Sequence, residues 1–256
     1  MSSSMKKATK IIAMATENRK TELISAYEAI SQRVSTTSNS RNVRLVAVSK
    51  LKPASDILAL YNHGVRHFGE NYVQELIGKA QELPKDIKWH FIGGLQTGKC
   101  KDLAKGIDNL YAVETIDSLK KCKKLDTARL NAEKDPLNVY LQINTSGEEQ
   151  KSGFSLLDTK DLKDTVRFLM SDECKKLKLQ GLMTIGSFEA STLDEENKDF
   201  KALSTVKTEL DKEFNLDLEL SMGMSNDFEQ AIKQGSTSVR VGSSIFGARP
   251  PKSSNN

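Results

Sequence analysis

The chain has 256 residues, 38% of them hydrophobic and 28% charged; that is enough apolar material for a buried core and too much for intrinsic disorder. No run approaches the about 18 consecutive apolar residues of a membrane span. A net charge of +4 on so charged a chain demands neither a nucleic acid nor a membrane as partner. Cys100, Cys122 and Cys174 are widely spaced and form no C-x-x-C, so reduced thiols in a cytoplasmic protein are expected rather than a disulfide framework. Met1 to Lys10 is polar and basic without an apolar stretch, so no secretory signal is read there. Ala8–Met14 bears only a faint likeness to a mitochondrial presequence.

The periodicity alternates short apolar runs with longer amphipathic segments. A helix is expected over residues 6–35, then a polar break through Asn42, then a buried parallel strand at Leu45–Val48. Pro53 suits a first helical turn, with a helix over Ala54–Asn62 stopped at Gly64. The next pairs are strand Val65–Phe68 with helix Tyr72–Leu83, strand Trp89–Ile92 with a short helix Gly98–Lys105, and strand Leu110–Val113 with helix Ser118–Glu133. Strand Val139–Ile143 and helix Leu157–Ser171 follow, then strand Leu179–Ile185 and helix Leu193–Phe214. Strand Leu218–Met222, helix Asp227–Lys233 and strand Val239–Val241 complete the series. Ile245–Phe246–Gly247 is expected to open a tail, disordered over 250–256.

Strands alternating with helices imply right-handed βαβ units and a parallel sheet, and eight such units are the count of a closed (β/α)₈ barrel of TIM type. The competing open doubly wound sheet usually carries a glycine-rich first turn; here that turn is Ser49–Lys50–Leu51–Lys52–Pro53. No composition shift divides the chain, so residues 1–256 are read as one domain, with a barrel core over 42–249 and the extra N-terminal helix packed outside or beneath it.

Barrel sites sit at the C-terminal strand ends. Lys50 leaves an apolar strand there. A desolvated lysine has a lowered pKa and serves as a Schiff-base nucleophile; the plainer alternative is a surface lysine. The seventh and eighth strands end in Ser221–Met222–Gly223–Met224–Ser225 and Gly242–Ser243–Ser244. Their hydroxyls and open backbone N–H groups suit a phosphate, although glycine and serine fill ordinary turns too. Arg240, between Val239 and Val241, needs a buried partner, either a carboxylate or a pyridine nitrogen.

Val46–Ala47–Val48–Ser49–Lys50 with Pro53–Ala54, Phe68–Gly69–Glu70–Asn71–Tyr72, and Trp89–His90–Phe91–Ile92–Gly93 with Leu95–Gln96 form a collinear series of motifs. Gln142–Ile143–Asn144, Lys151–Ser152–Gly153, Gly181–Leu182–Met183, Ser221–Ser225, Val239–Gly242 and Ile245–Arg249 continue it. The series resembles the pyridoxal phosphate homeostasis proteins over Arg44 to Arg249. The resemblance implies a fold-type III barrel like the N-terminal domain of alanine racemase, with pyridoxal 5'-phosphate (PLP) at its mouth. It implies a Schiff base on Lys50, Arg240 facing the pyridine nitrogen, Ser225, Gly242 and Ser243 on the phosphate, and Asn71 and Ser221 lining the pocket. Ser243 stands where related sequences often have threonine; either supplies a hydroxyl.

An arginine opposite the ring nitrogen disfavours its protonation and weakens the electron sink. Racemisation also needs acid–base groups on both faces of the α-carbon. The second, all-β domain that supplies one of them in alanine racemases is missing from a chain ending soon after Arg249; Tyr72 and Tyr140 are the substitutes considered. The implied role is therefore holding PLP in intracellular vitamin B6 homeostasis with little or no catalysis, as a monomer, with amino acids or PLP-accepting apo-enzymes as further partners. An amino-acid racemase is the alternative. Gly93–Cys100 falls one residue short of a P-loop, with Cys100 in place of the magnesium-binding hydroxyl. Gly64 separates His63 from His67, so no metal site is expected. The clusters Lys120–Lys124 and Lys175–Lys178 are read as solvated helix faces, with an anion-binding patch as the alternative.

Overall fold

β1 (Arg44–Val48) pairs in parallel with both β2 (His67–Glu70) and β9 (Ser238–Val241), so the first and last strands meet and the sheet closes. Between them run β3 (Lys88–Phe91), β4 (Leu110–Ile116), β5 (Leu137–Asn144), β7 (Leu177–Met183) and β8 (Glu219–Ser221), all parallel. The two-residue β6 (Phe154–Ser155) adds to the end of β5, leaving eight strands in the ring. The architecture comes from a computed structural model that describes residues 13–187, 189–190 and 196–248.

The helices are α1 (Glu17–Ser38), α2 (Ala54–Asn62), α3 (Val73–Glu82), α4 (Cys100–Gly106) and α5 (Leu119–Asn131), then α6 (Lys160–Met170), α7 (Lys198–Phe214), α8 (Phe228–Lys233) and α9 (Ser243–Phe246). The expected (β/α)₈ barrel is thus present, and most expected elements are found within a few residues. α1 begins at Glu17 because the Thr16 side chain caps it, and it runs to Ser38 because Asn39 adopts the left-handed closing conformation. The start of the polar stretch read as a break, up to Ser38, is therefore its last turn, and the break runs over residues 39–42. Residues 6–12, the expected helical start at Leu193, Arg249 and the tail 250–256 lie outside the described residues. Ser243–Phe246 is a helical turn and not the beginning of a tail; Ile245 and Phe246 are buried.

α1 lies outside the barrel against α2, α8 and α9. Arg19 holds it there, donating to Asp56 Oδ2 at 2.6 Å and to the Phe246 carbonyl at 2.9 Å. Strand residues alternate between the helix layer and the lumen, as the period of two requires. Trp89 and Phe91, Leu220 and Met222, and Val239 and Val241 join the main apolar core. The intervening His90, Ser221 and Arg240 carry polar groups inward. Ala112, Tyr140 and Met183 form a separate small cluster, so the lumen holds few apolar side chains and much hydrogen bonding.

Candidate functional site

At the C-terminal strand ends the barrel opens into a cavity of about 430 Å³. Lys50, Asn71, Ser225, Arg240, Gly242 and Ser243 all line it. Ser221, expected in its wall, is fully buried and lies beneath, accepting from Arg240 Nη1 at 2.6 Å. Strand register explains the gathering. Val46 pairs with Arg240 and Ala47 with Val241, so Lys50 and the Gly242–Ser243 turn leave adjacent strands at the same level.

The turn carrying Lys50 is fixed from both sides. Lys79, buried on α3, donates to the Ser49 carbonyl at 2.8 Å, to Glu70 Oε1 at 2.6 Å and to Glu75 Oε1 at 2.6 Å. Ser49 Oγ donates to the same Glu70 oxygen at 2.6 Å, and the Leu51 N–H donates to Glu75 Oε1 at 2.7 Å. Leu51 has a φ of 60°, a left-handed conformation unfavourable for a branched residue, and the Glu75 bond holds it there. Lys50 itself is half-buried between these two anchors.

Asn71 follows β2. Its Oδ1 is buried without a hydrogen-bond partner, a group that a ligand would satisfy. A Cβ on Gly93 would lie 1.9 Å from the Asn71 carbonyl oxygen, so glycine is required for the third strand end to pass the second. The P-loop-like segment therefore has a packing role at Gly93, and its Lys99 pairs with Asp102 at 3.3 Å. On the other side, the Gly242 N–H donates to Ser225 Oγ at 3.3 Å, and a Cβ there would press on Val48 at 3.3 Å. The first N–H groups of α9 have no carbonyl within their own turn and stand beside these residues at the rim.

Arg240 is 4% exposed. Its Nη2 donates to the Thr184 carbonyl at 2.8 Å, and Glu114 Oε2 lies 4.0 Å from Nη1. Burial pulls the guanidinium below its ordinary value, against Glu114 and Asp227, yet an arginine so balanced stays charged. Burial also opposes ionisation of Glu114, but His90, Arg240 and Ser221 outweigh it and hold that carboxyl below the usual range.

Two charged lining residues are absent from the site read from sequence. Lys151 reaches the cavity from the loop after β5 and donates to the Gly186 carbonyl at 2.7 Å; its signal was the Lys151–Ser152–Gly153 motif at a strand end. Asp227 accepts from the Met224 N–H at 2.7 Å, which shapes the turn holding Ser225, and burial raises its carboxyl. Of the tyrosines considered as acid–base groups, Tyr140 points into the lumen and donates to Glu219 at 2.7 Å, while Tyr72 is 53% exposed beside α3. His90 is a buried lumen residue. Among the described residues no cluster of metal-ligating side chains occurs. A larger groove, about 960 Å³, runs between α4 and α5. Lys120, Lys123 and Lys124 of the Lys120–Lys124 cluster line it on the outer wall, away from the strand ends.

The fold and this mouth define a class: the sequence model of the family described as alanine racemase, N-terminal domain, matches residues 25–250. Alanine racemase from Clostridium difficile has the same fold, at 14% identity and a TM-score of 0.71 over 91% of this chain and 58% of that one. Within the class the chain belongs to the pyridoxal phosphate homeostasis proteins. It is 49% identical to the protein of that name in Schizosaccharomyces pombe over 88% of this chain and 92% of the relative. It is 45% identical to the Homo sapiens protein over 80% and 76%. PipY of Synechococcus elongatus, solved with PLP bound, is 32% identical with a TM-score of 0.68, over 85% of this chain and all of that one.

Proposed function

We propose that the protein binds PLP at the barrel mouth and acts in intracellular PLP homeostasis, with little or no turnover of its own. The observation that carries this is the donor set of one cavity: a lysine amine, a fixed guanidinium, and a glycine- and serine-built rim opposite a buried Asn71 oxygen with no partner. Those groups fit the aldehyde, the ring nitrogen and the phosphate of PLP.

Lys50 would hold the cofactor through its amine, with Arg240 at the ring nitrogen and Ser225, Gly242 and Ser243 at the phosphate; Asn71 lines the wall. Bound in this way, PLP supplies a reactive aldehyde and an electron-withdrawing ring. Arg240 moderates the second property, because a fixed cation there disfavours a protonated ring nitrogen. The site orients the cofactor and shields its aldehyde from free amines. Neither Tyr72 nor Tyr140 stands at the cavity opposite Lys50, which favours retention of PLP over racemisation. Amino acids and PLP-accepting apo-enzymes are the proposed recipients, the protein acting as a cytoplasmic monomer.

The reading is tested by loading the full chain with PLP and incubating it with an amino-acid panel in deuterated water. Stoichiometric PLP uptake without α-deuterium incorporation is expected. Rapid exchange, lost in Lys50→Ala, would instead make it a racemase-like enzyme.

A further inference from the structure

A chain of hydrogen bonds crosses the barrel lumen and ends on Arg240. His67 Nδ1 and His90 Nε2 are 2.8 Å apart, His90 Nδ1 meets Glu114 Oε1 at 2.6 Å, and Ser221 Oγ meets Glu114 Oε2 at 2.5 Å. Arg240 Nη1 then meets Ser221 Oγ at 2.6 Å. His90, Glu114 and Ser221 are fully buried. In the ring order, β5 and β7 lie between β4, which carries Glu114, and β8, which carries Ser221. The Glu114–Ser221 bond therefore spans the interior.

Proton bookkeeping gives these bonds a direction. A guanidinium can only donate, so Ser221 Oγ accepts from Arg240 and its single proton goes to Glu114. Glu114 accepts at both oxygens, from Ser221 and from His90, as an ionised carboxylate does. Arg240 thereby has two N–H groups committed to the protein, one to Ser221 and one to the Thr184 carbonyl, while its side chain still lines the mouth cavity. The larger share of the counter-charge for this buried cation comes from Glu114 on the opposite wall of the barrel, with Asp227 adding to it from the turn after β8.

We propose that Glu114, acting through Ser221, is a positioning residue that fixes the plane of the Arg240 guanidinium and so sets how the cation meets the ring of a bound PLP. The proposal rests on the PLP reading above. Charge-assisted hydrogen bonds of this kind are worth enough to change affinity by about ten-fold when one is removed. Ser221→Ala cuts the link while leaving Glu114 paired with His90. Glu114→Gln keeps the shape but removes the charge and one of the two acceptor oxygens, so Ser221 and His90 can no longer both donate to it.

The test uses the full chain and has two readouts. Without cofactor, side-chain NMR of Arg240 is expected to show separate Nη resonances in the wild type that merge in both variants. With ¹⁵N-labelled PLP, each variant is expected to bind about ten-fold more weakly and to shift the ring-nitrogen resonance. In an Arg240→Gln background the same two replacements should change affinity by less than about two-fold, because a residue acting only through Arg240 has nothing left to position. Unchanged Nη resonances, or an equal loss of affinity with and without Arg240, would overturn the proposal. Should Glu114→Gln fail to fold, Ser221→Ala decides alone. A wild-type protein that takes up no PLP defeats the functional reading instead, and the cofactor-free NMR then still decides the role of Glu114.

Discussion

Val46 and Arg240 are directly paired across β1 and β9. This one register match closes the barrel and places the Lys50 turn beside the Gly242–Ser243 turn. The two ends of the chain, nearly two hundred positions apart, thus supply the amine and the phosphate rim of one cavity. Backbone pairing sets their level, and the Lys79 and Glu75 contacts hold the Lys50 turn in place upon it.

Lys79 should matter to Lys50 although it never enters the cavity. Lys79→Met leaves Glu70 buried without its ion-pair partner and releases the Ser49 carbonyl. Loss of one partner of such a pair costs about 3–5 kcal/mol, and urea unfolding should show a destabilisation towards the lower end because Glu70 can take up a proton. PLP attachment should slow as well. Lys79→Met combined with Glu70→Gln should recover part of the stability.

Gly93→Ala should be destabilising while Gly94→Ala is not. The first would place a Cβ against the Asn71 backbone; the second has nothing within 4 Å. The expected loss for Gly93→Ala is about 2–3 kcal/mol, with weaker PLP binding because Asn71 is displaced. Gly94→Ala should stay within about 0.5 kcal/mol of the wild type. Denaturant midpoints for the two proteins decide the point.

His67 imposes a pH dependence. Burial, with His90, Arg44 and Lys88 nearby, lowers His67 from 6.5 to about 3. Between those values the unfolded chain carries the proton and the folded chain does not, so this contribution is complete above pH 6.5 and is lost as pH falls towards 3. Burial raises Glu70 to about 6 against Lys79 and Ser49; this acts in the opposite sense, adding stability as pH falls from about 6 towards 4.5. His67→Gln should therefore lose less stability than the wild type when unfolding midpoints are compared across that range. Identical slopes for the two proteins would refute the His67 assignment.

The thiols should be slow to react. Burial raises Cys122 and Cys100, and it raises the partly exposed Cys174 to about 11, so thiolate is scarce at neutral pH. Alkylation of the native protein should modify Cys174 slowly and leave Cys100 and Cys122 intact until denaturation. Fast labelling of either buried thiol would show that its helix opens locally.

The eight strands were legible because parallel strands buried on both faces read as short apolar runs, as in Leu45–Val48 and Val139–Ile143. Lys50, Arg240 and the glycine–serine ends were legible because each breaks such a run. What remained hidden depends on closure. The apolar run of the fourth strand stops at Val113, one residue before Glu114, because a glutamate looks like an exit to solvent until the neighbouring strand supplies His90 and the facing wall supplies Ser221. The resemblance implies Ser221 in the pocket wall; the side chain does face the lumen, but it lies below the cavity against Arg240, a depth that sequence does not mark. Lys79 resembled any helix lysine, and only the packing of α3 under the Lys50 turn reveals three acceptors around it.

The most direct test of PLP at the barrel mouth is borohydride reduction of the PLP-loaded protein, followed by mapping of the modified peptide by mass spectrometry. A single phosphopyridoxyl adduct on Lys50, absent in Lys50→Ala, is the predicted result. An adduct spread over surface lysines, or none after PLP is added, would contradict it and leave the glycine–serine rim as a site for some other phosphorylated molecule.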